Sequence, residues 1–256
     1  MKTRIITPAI FLSAQMLVGC TSSQEPTELG SDELGGENAQ DGETPKADAA
    51  HDNFGFIAVE KSGAFDCKNP LTCVSYELTR PNRSTIKCND GAYHDECGVK
   101  AIAWDKAGLT SKQQQTVEAA IEREAQDPSV GVQVLVKGNF KIYVDFLAFE
   151  PTEVWLAAKA KGMTDGTFVR VFDRGIRCIT APCPQYEEGR LNSSREMPID
   201  GIDYGANTDE SLQDKVYEAT TQPDGVILVG ERTTRRASTF VEKLRTADQV
   251  FLPMTH

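Results

Sequence analysis

The chain has 256 residues, a formal net charge of −11 and a mean hydropathy of −0.38. An acid surplus of this size argues against a nucleic-acid partner, because binding a phosphate backbone requires a basic face. The length allows one large or two small folded domains.

Lys2 and Arg4 open the chain, and an apolar run from Ile5 to Val18 follows, broken only by Thr7, Pro8, Ser13 and Gln15. The run is shorter than the roughly 20 apolar residues that span a bilayer. Its charged start and small-residue end mark residues 1–19 as a signal peptide. The end, Leu17-Val18-Gly19-Cys20, resembles the lipobox of bacterial lipoproteins. In that resemblance the Cys20 thiol takes the diacylglyceryl group, and Gly19 gives the peptidase access to the bond. Thr21 rather than Asp follows, which implies sorting to the outer membrane of a Gram-negative cell envelope. The expected partner is therefore a membrane, reached through the lipid on Cys20.

Loss of the leader removes Lys2 and Arg4, and residues 21–53 then carry nine acidic residues against the single Lys46. This segment has almost no large apolar side chains, so burial cannot offset the entropy of ordering it. Residues 20–53 read as a lipidated tether. At roughly 5–6 Å × √n, its reach is about 30 Å.

The folded part begins near residue 55. Phe56–Lys61 and Val74–Thr79 read as strands, and Val99–Trp104 as another. Ser111–Gln126 reads as a helix capped by Thr110 or Ser111, with Val117, Ala120 and Ile121 as its apolar stripe. Val130–Val136, Ile142–Phe149 and Glu153–Ala157 read as strands. A second helix carries Leu212, Val216 and Ala219, capped near Thr208 or Asp209. Phe240–Leu244 fits helix or strand.

Self-comparison settles that ambiguity toward strand. With Cys73 set on Cys183, Tyr76, Glu77, Arg80, Asn82 and Ser84 fall on Tyr186, Glu187, Arg190, Asn192 and Ser194. Phe56-Ile57-Ala58-Val59 precedes the first copy and Phe168-Val169-Arg170-Val171 the second. Further on, Val134–Gly138 matches Val226–Gly230, and Glu153–Leu156 matches Gln249–Leu252. The fold class expected is α+β: two related units, 55–160 and 165–256, each a mainly antiparallel sheet with one helix, stapled by short disulfide loops. Small units of this kind are expected to share one continuous core.

Of seven cysteines, Cys20 is assigned to lipid, leaving an even six in an exported chain. Sequence locality favours Cys67–Cys73, Cys88–Cys97 and Cys178–Cys183. Cys67–Cys88 with Cys73–Cys97 is the alternative. A four-thiolate zinc site in 67–97 is disfavoured by the C-x5-C and C-x8-C spacings, and no metal or other cofactor is expected.

The string Gly175–Pro184 with Arg190-Leu191-Asn192 resembles a signature of the domain-of-unknown-function family 6748. Cys67, Cys73, Cys88-Asn89-Asp90-Gly91, Glu96-Cys97 and Ala103-Trp104-Asp105 fit the same family. Coverage is about 56–256, and many of the family's members are predicted lipoproteins of myxobacteria and relatives. The resemblance implies membership and carries no mechanism.

No catalytic set emerges. Of three histidines, His51 lies in the tether, His256 ends the chain, and only His94 falls within a folded unit. Tyr93-His94-Asp95-Glu96 reads as a polar disulfide-closed loop rather than an acid–base centre. No Gly-x-Ser-x-Gly elbow, Walker loop or Gly-x-Gly-x-x-Gly is present. Glu77 and Glu187, each followed by an arginine, read as structural pairs. Arg232, Arg235 and Arg236 read as a charged hairpin edge. The expectation is a non-enzymatic envelope module that binds protein or glycan, or scaffolds. The loop around Pro182 and Pro184 is a candidate exposed surface of protease-inhibitor shape. The alternative is a carboxylate-based hydrolase, which a concave pocket with convergent, perturbed acids would favour.

Overall fold

The computed structural model describes residues 53–63, 74–159, 166–206, 208–236 and 240–254. The leader, Cys20, the tether before residue 53 and the Cys67–Cys73 pair lie outside the described residues. Ala49–His256 forms one compact unit.

The first stretch supplies β1 (Ile57–Lys61), β2 (Tyr76–Thr79), the short β3 (Ile86–Lys87) and β4 (Tyr93–His94), β5 (Cys97–Val99) and β6 (Ala101–Ile102). Helix α1 (Ser111–Gln126) follows, then β7 (Val134–Tyr143) and β8 (Phe146–Lys159). The second stretch supplies β9 (Thr167–Asp173), β10 (Tyr186–Arg190), β11 (Glu196–Ile199), β12 (Gly201–Asp203) and α2 (Glu210–Thr220). It closes with β13 (Val226–Gly230), β14 (Arg232–Arg236), β15 (Val241–Thr246) and β16 (Gln249–Pro253).

Helix α1 starts where a capping box places it. Thr110 accepts from the Gln113 amide, and the Gln113 side chain accepts from the Thr110 amide. Asp209 caps α2 through the Ser211 amide at 3.0 Å.

Two expected strands are corrected. Val99–Trp104 is not one strand: Val99 ends β5, a bend at Lys100 sends Ala101–Ile102 to β8, and Trp104 is buried in a 3-10 turn, Trp104–Ala107, closed by Gly108 at φ 70°. Trp104 Nε1 donates to Glu118 of α1 at 2.5 Å, which pins the turn under the helix. Ile142–Phe149 is not one strand. β7 and β8 form a hairpin whose tip, Val144 and Asp145, falls in the middle of that run. The apolar pattern misleads because Ile142 and Val144 stand exposed at the tip. Beyond the tip, β8 continues unbroken through Glu153–Ala157.

One mainly antiparallel sheet runs through both stretches in the order β11-β10-β9-β13-β16-β8-β7-β1-β2-β5. β6 adds to β8 in parallel, Ile102 opposite Phe149. β12 pairs in parallel with β15, Ile202 opposite Arg245, and β14 completes that smaller sheet. The stretches join where β8 meets β16, with Leu156 opposite Leu252, Trp155 opposite Pro253 and Ala157 opposite Phe251.

Period-two alternation divides the core. On β7, Val134 and Val136 face α1 with Val117, Ala120 and Ile121. On β13, Val226 and Leu228 face α2 with Val216 and Ala219. The opposite sides of these strands meet in a central cluster containing Phe56, Leu135, Trp155, Leu191, Ile227 and Phe251. Both stretches contribute to it, so the shared core expected from unit size is present. Arg170 enters this interior, 5% exposed, its guanidinium 5.7 Å from the Phe56 ring centroid and its Nε donating to the Asp224 carbonyl at 2.6 Å.

The sheet curls enough to bring the ends of distant strands together. Asn82, after β2, donates through Nδ2 to the carbonyls of Phe168 (2.8 Å) and Leu191 (3.1 Å). Asn192, after β10, donates to the carbonyls of Phe56 (3.0 Å) and Pro81 (3.0 Å). Among the described residues these two asparagines are the non-glycine positions with positive φ, 61° and 58°. Asn tolerates that left-handed conformation better than most side chains. Among the described residues no helix is long and apolar enough to cross a membrane.

Candidate ligand pocket

The residues singled out in the sequence do not converge. Cys88–Cys97 and Cys178–Cys183 are disulfides, with Cα separations of 5.6 and 5.7 Å. The first overturns the alternative pairing of Cys88 with Cys67 and of Cys97 with Cys73. It also removes two of the four thiolates that the zinc reading needed. His94 lies on the exposed β3–β4 hairpin, its Nε2 2.8 Å from Asp90 Oδ2. The Ala92 amide first, and then that contact, hold the Asp90 carboxyl below the usual carboxylate range.

Glu77 accepts from Ser62 Oγ at 2.6 Å, and Glu187 lies 3.9 Å from Arg174 Nε. Arg235 pairs with Glu242 across the β14–β15 hairpin at 2.6 Å. In the Cys178–Cys183 loop Pro182 is exposed and Pro184 is half-buried, its carbonyl accepting from Arg174 at 3.1 Å.

A buried pair absent from the sequence reading lies beneath β14. Glu188 takes Arg245 Nε and Nη2 at 2.7 Å each, and Arg245 Nη1 donates to the Gly230 carbonyl at 3.0 Å. The depression beside it, about 400 Å³, is walled by arginines. Arg245 spends three of its five N–H donors on Glu188 and the Gly230 carbonyl, and Arg232 donates to the Pro198 carbonyl at 2.8 Å, so the arrangement reads as structural.

A second hollow, about 640 Å³, has different chemistry. The end of β1 gives one wall with Glu60 and Lys61, and the last turn of α1 gives another with Glu122 and Glu124. Pro128 and Val132 close it from the turn after α1, and Phe168 and Gln249 reach in from the second stretch. The Gln249 side-chain amide donates to the Val132 carbonyl and fastens that rim.

Glu124 is the unusual group. Helical spacing puts it at the end of the stripe that includes Val117, Ala120 and Ile121, so it is turned inward and only 8% exposed. Its Oε2 accepts from the Gln133 amide at 3.0 Å. Among the described residues Oε1 has no hydrogen-bond partner. Burial pushes its carboxyl up to about 8; the Gln133 amide opposes the rise and the charge of Glu60 adds to it. The Glu60 carboxyl is also raised, first by burial and then by Glu77 and Glu96. Lys61 is engaged by Glu122, whose carboxyl it lowers. The sequence held one signal for Glu124: a carboxylate at an apolar-stripe position.

With the fold and the pocket described, the comparisons add a family and nothing more. The model of DUF6748, a domain of unknown function, matches residues 58–256. The chain belongs to the DUF6748 family. That match begins within β1 and runs through β16, taking in the lining of the pocket and both asparagines. No curated protein and no solved structure matches this DUF6748 chain.

Proposed function

We propose that this DUF6748 protein is a lipid-anchored, non-enzymatic module of the cell envelope that binds a ligand in the hollow between α1 and β1. The observation that carries this reading is the pocket itself. Its walls combine apolar surface with one inward carboxylate, Glu124, held at one oxygen by the Gln133 amide and with no hydrogen bond to the other among the described residues. Concave, partly apolar sites with a few placed polar groups are the usual form of ligand sites. The lipobox and the acidic segment after it support the anchor at Cys20, with the outer membrane as its location.

The folded part reads as a duplicated α+β unit. Counted outward from the junction, the strand orders are β8-β7-β1-β2-β5 and β16-β13-β9-β10-β11, matching element for element along the chain. Leu156 and Leu252, equivalent in the sequence repeat, face each other at the junction, as a local two-fold axis requires. Asn82 bonds Phe168 while Asn192 bonds Phe56, again an exchange of equivalents. Gly138 and Gly230 sit where a Cβ would meet the carbonyl oxygens of Glu150 and Thr246 at 2.1 and 2.2 Å.

A fragment screen on the mature chain, read by amide chemical shifts, tests the binding reading. Hits should move Val132, Phe168 and the last turn of α1; hits confined to other surfaces would overturn it. Mass spectrometry of the mature N-terminus tests the anchor: a diacylglyceryl-modified Cys20 is expected, and cleavage elsewhere would refute it.

A carboxylate hydrolase is the second reading, favoured by the raised carboxyls of Glu124 and Glu60 in one hollow. It requires turnover of some substrate that is lost on Glu124→Gln and on Glu60→Gln alike. Binding without turnover favours the module.

A further inference from the structure

We infer that the hollow between α1 and β1 selects an organic cation: a primary amine or guanidinium carried on a small apolar body, its charged head on Glu124 Oε1 and its body against Phe168 and Val132. The inference rests on the reading of this hollow as a ligand seat and names what the seat prefers.

Three features set the sign of the ligand. Glu60, Glu122 and Glu124 line the hollow against one cation, Lys61, and that lysine is spent on Glu122. Glu77 on β2 and Glu96 before β5 add negative charge behind Glu60. The hollow also lies at the C-terminal end of α1, where unsatisfied carbonyls carry partial negative charge. Glu124 is more than nine-tenths buried, and its Oε1 has no hydrogen-bond partner among the described residues. A charge-assisted donor is the group that best satisfies such an oxygen. A bare metal ion fits less well, since among the described residues no three His, Cys, Asp or Glu side chains are grouped as ligands. The apolar wall sets the rest. Ala125, Pro128, Val132 and Phe168 supply the lining against which an apolar body packs.

The proton balance is simple. In the empty protein at neutral pH the Glu124 carboxyl is protonated. When an ammonium head enters, its N–H donates to Oε1 and the carboxyl proton leaves to buffer. Binding should therefore release about one proton near pH 7.

The test compares 2-phenylethylamine with 2-phenylethanol on the full mature chain, by titration calorimetry at low salt in buffers of different ionisation enthalpy. The amine should bind at least about tenfold more tightly than the alcohol, a charge-pair-sized difference, and release a proton. Glu124→Gln, which keeps an acceptor for the Gln133 amide, should remove most of the amine's advantage over the alcohol, leaving only the several-fold part due to Glu60, and abolish the release. Glu60→Gln should weaken the amine several-fold, and it keeps the test open should the first variant fail to fold. Equal affinity of amine and alcohol for the native protein, or an amine preference undiminished by Glu124→Gln, would overturn the cation preference while leaving the seat intact. If neither probe binds but other fragments still shift Val132 and Phe168, the cation inference alone fails. If no fragment shifts them, the seat itself fails.

Discussion

At the scale of single residues, Glu124 and Asn192 show opposite uses of a buried polar side chain. Glu124 is held in a place that favours its neutral form, with a carboxyl at about 8 against 4.5 unfolded. A raised acid stabilises the fold fully below the unfolded value, and that contribution fades as pH climbs from 4.5 to about 8. Glu124→Gln removes the titration. Near pH 4, below the unfolded value, the variant and native chain should melt together; near pH 8.5 the variant should be the more stable by a few kcal/mol. Parallel melting curves at both pH values would show that Glu124 does not titrate in this range. Asn192 is fully buried and closes two backbone carbonyls at the meeting of the two stretches. Asn192→Ala should cost about 2–4 kcal/mol in urea unfolding, from the orphaned carbonyls and the lost left-handed preference. Asn192→Gly, which restores the backbone freedom alone, should recover only part of it. A loss below about 0.5 kcal/mol, the size of a surface substitution, would refute the clasp.

At the scale of elements, the disulfides differ in what they hold. Cys88–Cys97 ties the residue after β3 to buried β5, at a sequence separation of 9. Cys178–Cys183, at a separation of 5, closes a loop whose Ile179 is fully exposed and delivers the chain into β10. β10 lies between β9 and β11, and its Glu188 is the partner of Arg245, so slack at its start reaches the buried pair. Replacing both Cys178 and Cys183 by Ser should cost about 2 kcal/mol on loop-closure grounds. The whole fold should weaken, with one transition shifted lower; loss of the second stretch alone would show that the two stretches unfold independently.

At the scale of the whole molecule, the central cluster decides cooperativity. Phe56, Leu135 and Trp155 come from the first stretch, Leu191, Ile227 and Phe251 from the second. Separating the stretches would expose one face of each sheet half and leave β8 and β16 as unpaired edges. Far-UV and near-UV signals of the native chain should therefore lose structure in one coincident transition. Residues 165–256 expressed alone should show no cooperative unfolding. A sharply melting fragment would mean that the second stretch is an independent domain.

Much of this protein was already determined by its sequence, because the determining interactions are local or periodic. Ser111–Gln126 is set by its Thr110 cap and apolar stripe, and Cys178–Cys183 by the closeness of its cysteines along the chain, whereas Cys88–Cys97 was one of two pairings left open. The family is carried by short motifs around the cysteines. The repeat placed Asn82 and Asn192 as equivalents, but their role needed the curl of the sheet, since each bonds carbonyls 86 to 136 residues away. The β7–β8 tip was misread because apolar residues look alike whether they face a core or water. The pocket was invisible for a related reason. Glu60 is an unremarkable carboxylate along the chain, Glu124 is marked only by its place on the apolar stripe of α1, and the Glu188–Arg245 pair spans 57 residues. Only tertiary packing took these charges out of water, and desolvation is what gives a carboxyl an altered acidity or a need for a partner.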